Sequence, residues 1–218
     1  AGGNSIKFLM EFTRANFSDV VLSLAKKNNI NVENLQGPQV EAYKKQLSRK
    51  EELYKILRVS KNWFKSQLNN SLGVEAMKYL ISKRNLNNKI IDNFELGFAP
   101  NSWKDLFNYL SQVEKFPINQ ILASGLAISK DNSDKIYDRF RNRLIVPIHD
   151  MQGRVVAFGG RSLDGQEPKY LNSPESEIFE KGKMLFAFEK ASSDIRKRDK
   201  AIIVEGYFDV ISLHSKGI

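Results

Sequence analysis

The sequence predicts an α/β chain, mainly helical through its first hundred residues and strand-bearing after Tyr137. Three observations carry the prediction. Apolar residues recur at helical spacing in the first part of the chain. Two β-rich runs, 144–149 and 154–159, are joined by "DMQG", which has the size and composition of a hairpin turn. Near the end, "AIIVEGYFDVISLHSKG" has a strand, turn, helix pattern, half of a βαβ unit.

Between residues 5 and 30, Ile6, Phe8, Leu9 and Phe12 and then Val20, Val21, Leu24 and Ala25 predict two short helices, with Asn16 or Ser18 as a cap. After "NLQGP", the stretch "QVEAYKKQLSRKEELYKILRVSKNWFKSQL" holds neither Pro nor Gly and predicts one long helix or two. "SLGVEAMKYLISKRNL" adds a helix starting after Ser71 or Gly73. "FELGFAPNSWKDLFNYL" predicts a short apolar run, a Pro turn and a helix capped by Ser102. In the hairpin, Pro147 cannot donate to a ladder, so its strand is expected at an edge or bulged there. "SSDIRKRDK" looks like the polar end of a helix leading into a strand at 201–204, with another helix after it. No internal repeat or low-complexity tract is evident.

At 218 residues and 41% hydrophobic content, the chain suits one large globular domain or two small ones. No apolar run approaches the roughly 18 to 20 residues that cross a membrane, so the expectation is a soluble, intracellular protein with no membrane partner. Thirty-four Lys and Arg against 25 Asp and Glu leave +9, which suits a polyanionic partner or simple solubility. With no Cys there is no disulfide framework and no Cys-type zinc site. His149 and His214 are far apart in sequence and read as structural.

Candidate chemistry falls in four places. Glu205 ends the predicted strand, where open α/β sheets gather ligands; it is either a solvent-facing acid or a metal ligand or general acid/base. Gly206 permits a tight turn, and Asp209 lies on the first turn of the following helix. Two carboxylates are too few for a divalent cation. In "RFRNR", Arg139, Arg141 and Arg143 would share one face of a strand, suited to phosphates or to water. "FGGR" ends a predicted strand with two glycines and Arg161; the glycines make a bulge, admit another backbone or simply end a twisted strand. The polar connection 168–186 offers Lys169, Asn172, Ser173, Lys181 and Lys183 to phosphate or sugar, with Tyr170 either stacking on a base or packing.

In order and spacing, "RFRNRLIVPIHDMQGRVVAFGGRSL", "PKYLNSPES", "IFEKGKMLF" and "IIVEGYFDVISLHSKGI" resemble the catalytic core of bacterial DNA primase. Upstream, "LGFAPNSW" and "GLAI" look like that family's N-terminal subdomain, and "AGGNSIKFLME" like the segment just past its zinc ribbon. The resemblance implies a remnant of linker at 1–15, a mainly helical subdomain at 16–140, a β-rich connection and basic cleft at 141–198, and the start of a Toprim parallel-sheet domain at 199–218. Glu205 matches the superfamily's catalytic, metal-binding acid, and Asp209 lies in the same signature. Arg141, Arg161, Lys169 and Lys181 match basic residues lining the template and nucleotide cleft.

The activity implied is metal-dependent synthesis of RNA primers on single-stranded DNA, with Mg2+ or Mn2+ as the ion. Implied partners are nucleoside triphosphates, the primer–template hybrid and, through a C-terminal domain, the replicative helicase. Zn2+ belongs to the family's N-terminal ribbon. The compartment implied is the bacterial nucleoid or replisome, or a plastid. Since the family's Asp-x-Asp pair lies beyond Gly217, the expectation is a partial sequence that is inactive alone. A topoisomerase-like Toprim enzyme and a non-catalytic single-stranded-DNA-binding module are the alternatives.

Overall fold

The structure, a computed structural model of the chain, describes residues 4–13, 17–28, 30, 38–130 and 135–218. It divides into two compact units, Ala1–Arg49 and Lys50–Ile218. In the first unit, α1 (Ser5–Thr13) and α2 (Phe17–Lys27) are the two short helices that the spacing predicts. Ser18 falls within the bounds of α2, and Asn16 is outside the described residues. Val20 and Ala25 are buried in α2 among the residues whose burial is described.

The predicted long helix is one element, α3 (Pro38–Leu68), opened by a proline whose missing N–H costs a first turn nothing. Its buried face repeats at three and four residues through Leu53, Ile56, Leu57, Ser60, Phe64 and Leu68. Ser60 satisfies its buried hydroxyl on the Ile56 carbonyl at 2.9 Å. No described helix is long and apolar enough to cross a membrane.

The main sheet has the order β1 (Gly97–Ala99), β4 (Arg143–His149), β5 (Val155–Ser162), β6 (Tyr170–Asn172), every pair antiparallel. A two-stranded sheet joins β2 (Ala127–Ser129) to β3 (Ile136–Asp138). All of β4 is buried because the sheet is covered on both faces. Ile145 and Phe158 pack with Ile56, Leu57 and Phe64 of α3 in one cluster. Leu144 and Val146 pack on the other side with Phe208 and Ile211. Close approach needs Gly97, since a β-carbon there would sit 2.6 Å from the Phe64 β-carbon.

The hairpin forms as predicted, but Pro147 is neither on an edge strand nor at a bulge. Strand β4 is interior in the sheet, and the register shift falls between Ile148 and His149. Pro147 is tolerated because β1 pairs only with residues 143–145 of β4, so no neighbour on that side asks for its N–H. At the end of β4, buried His149 meets Glu95 (Nε2 to Oε2, 3.0 Å), which also holds Lys61. These two partners keep the Glu95 carboxyl down at about 2, against its own desolvation.

An internal repeat is present after all. Helix α4 (Val74–Lys78), a π-helical turn Tyr79–Lys83, α5 (Asn88–Asn93) and β1 are matched by α6 (Asp105–Asn108), a π-helical turn Tyr109–Val113, α7 (Ile118–Ala123) and β2, at a 30-residue offset for both turns, both later helices and both strands. Buried Leu80, Leu86, Ile91 and Leu96 correspond to buried Leu110, Phe116, Ile121 and Leu126. Positive φ recurs at Asn85 and Lys115, and again at Glu95 and Gly125.

Helix α6 corrects the predicted cap. Ser102 accepts only a long 3.4 Å bond from the Lys104 N–H, whereas the N–H groups of Leu106 and Phe107 donate to the Asp138 carboxylate, 32 and 31 residues away. After the polar connection come α8 (Phe188–Arg198) and α9 (Tyr207–Ser215). Between them the predicted strand is missing: residues 201–204 make no ladder, and Ile202 and Ile203 are 64% and 84% exposed. A parallel strand needs a pairing neighbour and cover on both faces, and no described strand pairs with this segment. The mixed helix-and-sheet class holds; the described ladders are antiparallel.

Candidate nucleic-acid interface

The "RFRNR" arginines do not share a face. The backbone leaves strand geometry after Asp138 and passes Asn142 at a positive φ of 49°, so the two-residue alternation never runs through this segment. Each arginine takes a different partner. Arg139 donates from Nε to the Gly125 carbonyl at 2.7 Å. Arg143, buried in β4, donates to the Pro168 carbonyl at 2.8 Å and so anchors the chain entering β6.

Arg141 turns outward. Its guanidinium lies 4.3 Å from the Trp103 ring centroid and 5.3 Å from that of Tyr137, and it donates to the Asp138 carbonyl. Trp103 meets Tyr137 edge to face at 5.6 Å and is still 64% exposed. A large ring covered by a cation and open to solvent suits stacking of an unpaired base.

Arg161 stands on β5, paired with Leu144 on one side and Tyr170 on the other. Its guanidinium packs on the Tyr79 ring at 4.6 Å, and its buried Nε has no hydrogen-bond partner in the protein. Arg84 uses the same ring: it lies 5.5 Å from the centroid and donates from Nε to the Tyr79 hydroxyl at 2.7 Å. It also covers Phe208 at 4.7 Å. Two guanidiniums thus lie against one tyrosine, and each offers a planar fork of donors suited to an oxyanion. Sequence reasoning missed Arg84, which sits in a run of surface-like residues; only the packing of the first repeat onto the sheet brings it to Arg161.

Lys169 and Lys181 are both exposed, each held through its backbone. The Lys169 N–H donates to Glu167 at 2.9 Å, and its carbonyl accepts the Ser162 N–H at 3.0 Å. The Lys181 N–H meets both oxygens of Glu175, at 3.1 and 3.2 Å. The connection 168–186 therefore holds more structure than its composition suggests.

Gly159 and Gly160 are interior to β5, without a bulge, and side chains are what they admit. A β-carbon on Gly159 would lie 2.5 Å from the Tyr207 ring, and one on Gly160 would lie 2.7 Å from the Phe140 ring. Tyr207, fixed over Gly159, donates to Asn172 at 2.9 Å and so ties the start of α9 to β6. Glu205 and Asp209 consequently open onto a groove of about 1070 Å³ that also meets Lys181, Tyr170 and Asn172. Arg141, Arg161 and Lys169 lie outside that groove.

Both carboxylates are exposed, and Asp209 accepts the Gly206 N–H at 3.2 Å, capping its own helix. Among the described residues no group of three or more acids and histidines is placed to hold a metal ion. Two carboxylates fall short of the six or so oxygens a hard divalent cation takes, so the residues present do not by themselves fit one.

Residues 63–192 match the family described as DNA primase catalytic core, N-terminal domain. Over its whole length the chain is 49% identical to a DNA primase of Synechococcus elongatus and 37% identical to one of Escherichia coli, covering 31% and 37% of those proteins. It thus spans about a third of the length of these curated relatives. Among solved structures, a DnaG primase catalytic domain bound to ssDNA superposes with a TM-score of 0.70 at 35% identity, over 78% of this chain and 52% of that one. The Aquifex aeolicus primase, with zinc binding and RNA polymerase domains, aligns over 100% of this chain and 50% of that one, with a TM-score of 0.67 at 30% identity. Neither a topoisomerase-like enzyme nor a non-catalytic binding module is favoured by these likenesses. From the ordered motifs, the mixed fold and the matched residues, this chain belongs to the DNA primase catalytic core N-terminal domain family.

Proposed function

We propose that the chain holds single-stranded DNA template within a primase that makes short RNA primers by metal-dependent nucleotidyl transfer. The observation carrying this reading is Trp103, exposed and backed by Arg141. Its ring stacks an unpaired base, while Arg84, Arg161, Lys169 and Lys181 take phosphates without reading sequence. Nucleoside triphosphates, the primer–template hybrid and the replicative helicase are proposed as partners of the whole primase, with Zn2+ in its ribbon domain.

Glu205 and Asp209 are proposed as this chain's acids toward a Mg2+ or Mn2+ centre. When bound, such an ion would supply positive charge to oxygens of the reacting groups. Glu205 and Asp209 alone do not complete its shell.

The test uses a chimera in which residues 1–218 replace the matching segment of the Synechococcus elongatus primase. Primer synthesis on single-stranded DNA should be retained by the chimera and lost on Glu205→Gln. Synthesis at the unsubstituted rate in that variant refutes the role of Glu205.

A further inference from the structure

Asp138 is 3% exposed and ties three stretches of chain together. Its carboxylate accepts the N–H groups of Leu106 at 3.0 Å and Phe107 at 2.8 Å, at the start of α6. Its own N–H donates to the Trp103 carbonyl at 2.7 Å, and its carbonyl accepts a guanidinium N–H of Arg141. The next residue back is Tyr137, and the Asn142 N–H adds a bond to the Pro100 carbonyl at 3.2 Å. Every member of the exposed stack is therefore bonded to Asp138 or adjacent to it.

We infer that Asp138 is a positioning residue for nucleic-acid binding, fixing Trp103, Tyr137 and Arg141 as one preformed platform for an unpaired base. The inference rests on Trp103 being the base-stacking ring. Helix capping alone does not account for the residue type. Ser or Asn would cap α6 without an ionisable group in the core, where burial pushes the Asp138 carboxyl up to about 7 against the pull of the two N–H groups. A carboxylate presents two acceptors in one plane, one for each N–H, while Asn would turn a donor toward one of them. The bidentate hold fixes the angle at which the Trp103 loop meets β3. A platform ordered in advance removes the entropy cost of ordering that loop when DNA binds.

The test is carried out in a Trp63→Phe background, which leaves Trp103 as the single indole of the chain's two tryptophans. Oligothymidine affinity is read by anisotropy and stacking by quenching of Trp103 emission. Trp103→Ala should weaken binding about tenfold, as for one stacked base. Asp138→Asn should weaken it about threefold or more, with smaller quenching at saturation and an unchanged salt slope, because no phosphate contact is lost.

If Trp103→Ala binds normally, the stacking reading itself fails. If Trp103→Ala binds weakly but Asp138→Asn matches the parent in affinity and quenching, the positioning inference alone fails. Amide exchange in the unsubstituted chain covers the case in which Asp138→Asn does not fold. Leu106 and Phe107 should exchange slowly and at the same rate with and without oligothymidine; protection appearing only with DNA overturns a preformed platform.

Discussion

Adding a methyl group at Gly159 should act on α9 through one ring, and a double-mutant cycle isolates the effect. The added β-carbon would lie 2.5 Å from Cε2, 2.9 Å from Cζ and 3.2 Å from Cδ2 of Tyr207, along a whole ring edge. That ring cannot swing aside cheaply: its hydroxyl is bonded to Asn172 at 2.9 Å, and it packs edge-on to Phe186 at 4.9 Å. Overpacking of this kind costs about 1–3 kcal/mol. Replacing a strand glycine recovers about 0.5–1 kcal/mol of chain entropy, so Gly159→Ala should cost about 0–2.5 kcal/mol net.

Tyr207→Leu removes the obstructing edge along with one hydrogen bond worth about 1 kcal/mol. In that background Gly159→Ala should be neutral or stabilising, giving a coupling energy of about 1–3 kcal/mol. Urea unfolding of the four proteins, followed by far-UV circular dichroism, measures it. Equal cost of Gly159→Ala in both backgrounds would refute the claim that the ring, rather than the backbone, demands glycine.

Charge carries three further expectations. Asp138 has a folded pKa raised from 3.8 to about 7, so its contribution to stability is fully present below about pH 4 and disappears as pH rises through 7; Asp138→Asn should flatten unfolding free energy across that window. Glu95 has the opposite sign, lowered from 4.5 to about 2, so stability present above pH 4.5 fades as pH falls toward 2, and Glu95→Gln should abolish that part of the acid limb. Arg84→Ala and Arg161→Ala should each lower the slope of log affinity for oligothymidine against log salt by about 0.7, as one lost phosphate contact does on a single strand. A slope equal to the parent's would make both arginines packing partners of Tyr79 and, for Arg84, Phe208.

Local order was legible wherever the signal was local. The hairpin, the long α3 and the two last helices follow from spacing, turn composition and the absence of Pro and Gly. The common face of the three arginines failed because β3 already ends at Asp138 and the chain then passes Asn142 at a positive φ before β4 begins, and nothing in the local composition announces that break. The strand at 201–204 failed because apolar composition describes a segment that can be buried, whereas a ladder needs a neighbour. Arg84 and Asp138 were invisible for a related reason: each acts across 77 and about 32 residues of chain, on Arg161 and on α6, through contacts that only topology creates. The repeat escaped notice because its halves share a pattern of buried positions and positive φ, with few identities such as Tyr79 with Tyr109 and Leu80 with Leu110.

That repeat changes what the π-helical turn under Arg161 means. Such turns often mark functional sites, and the one starting at Tyr79 does carry two guanidiniums. Its counterpart starting at Tyr109 carries none: that hydroxyl donates to Glu114 at 2.7 Å and the ring leans on Trp63. The residues answering to each other are Arg84 and Glu114, of opposite charge on equivalent backbone. The distorted turn is therefore a component of a twice-used scaffold, and the charge presented there is set by the side chain mounted on it. The same backbone thus presents a cation in one half and an anion in the other through a single difference in residue type.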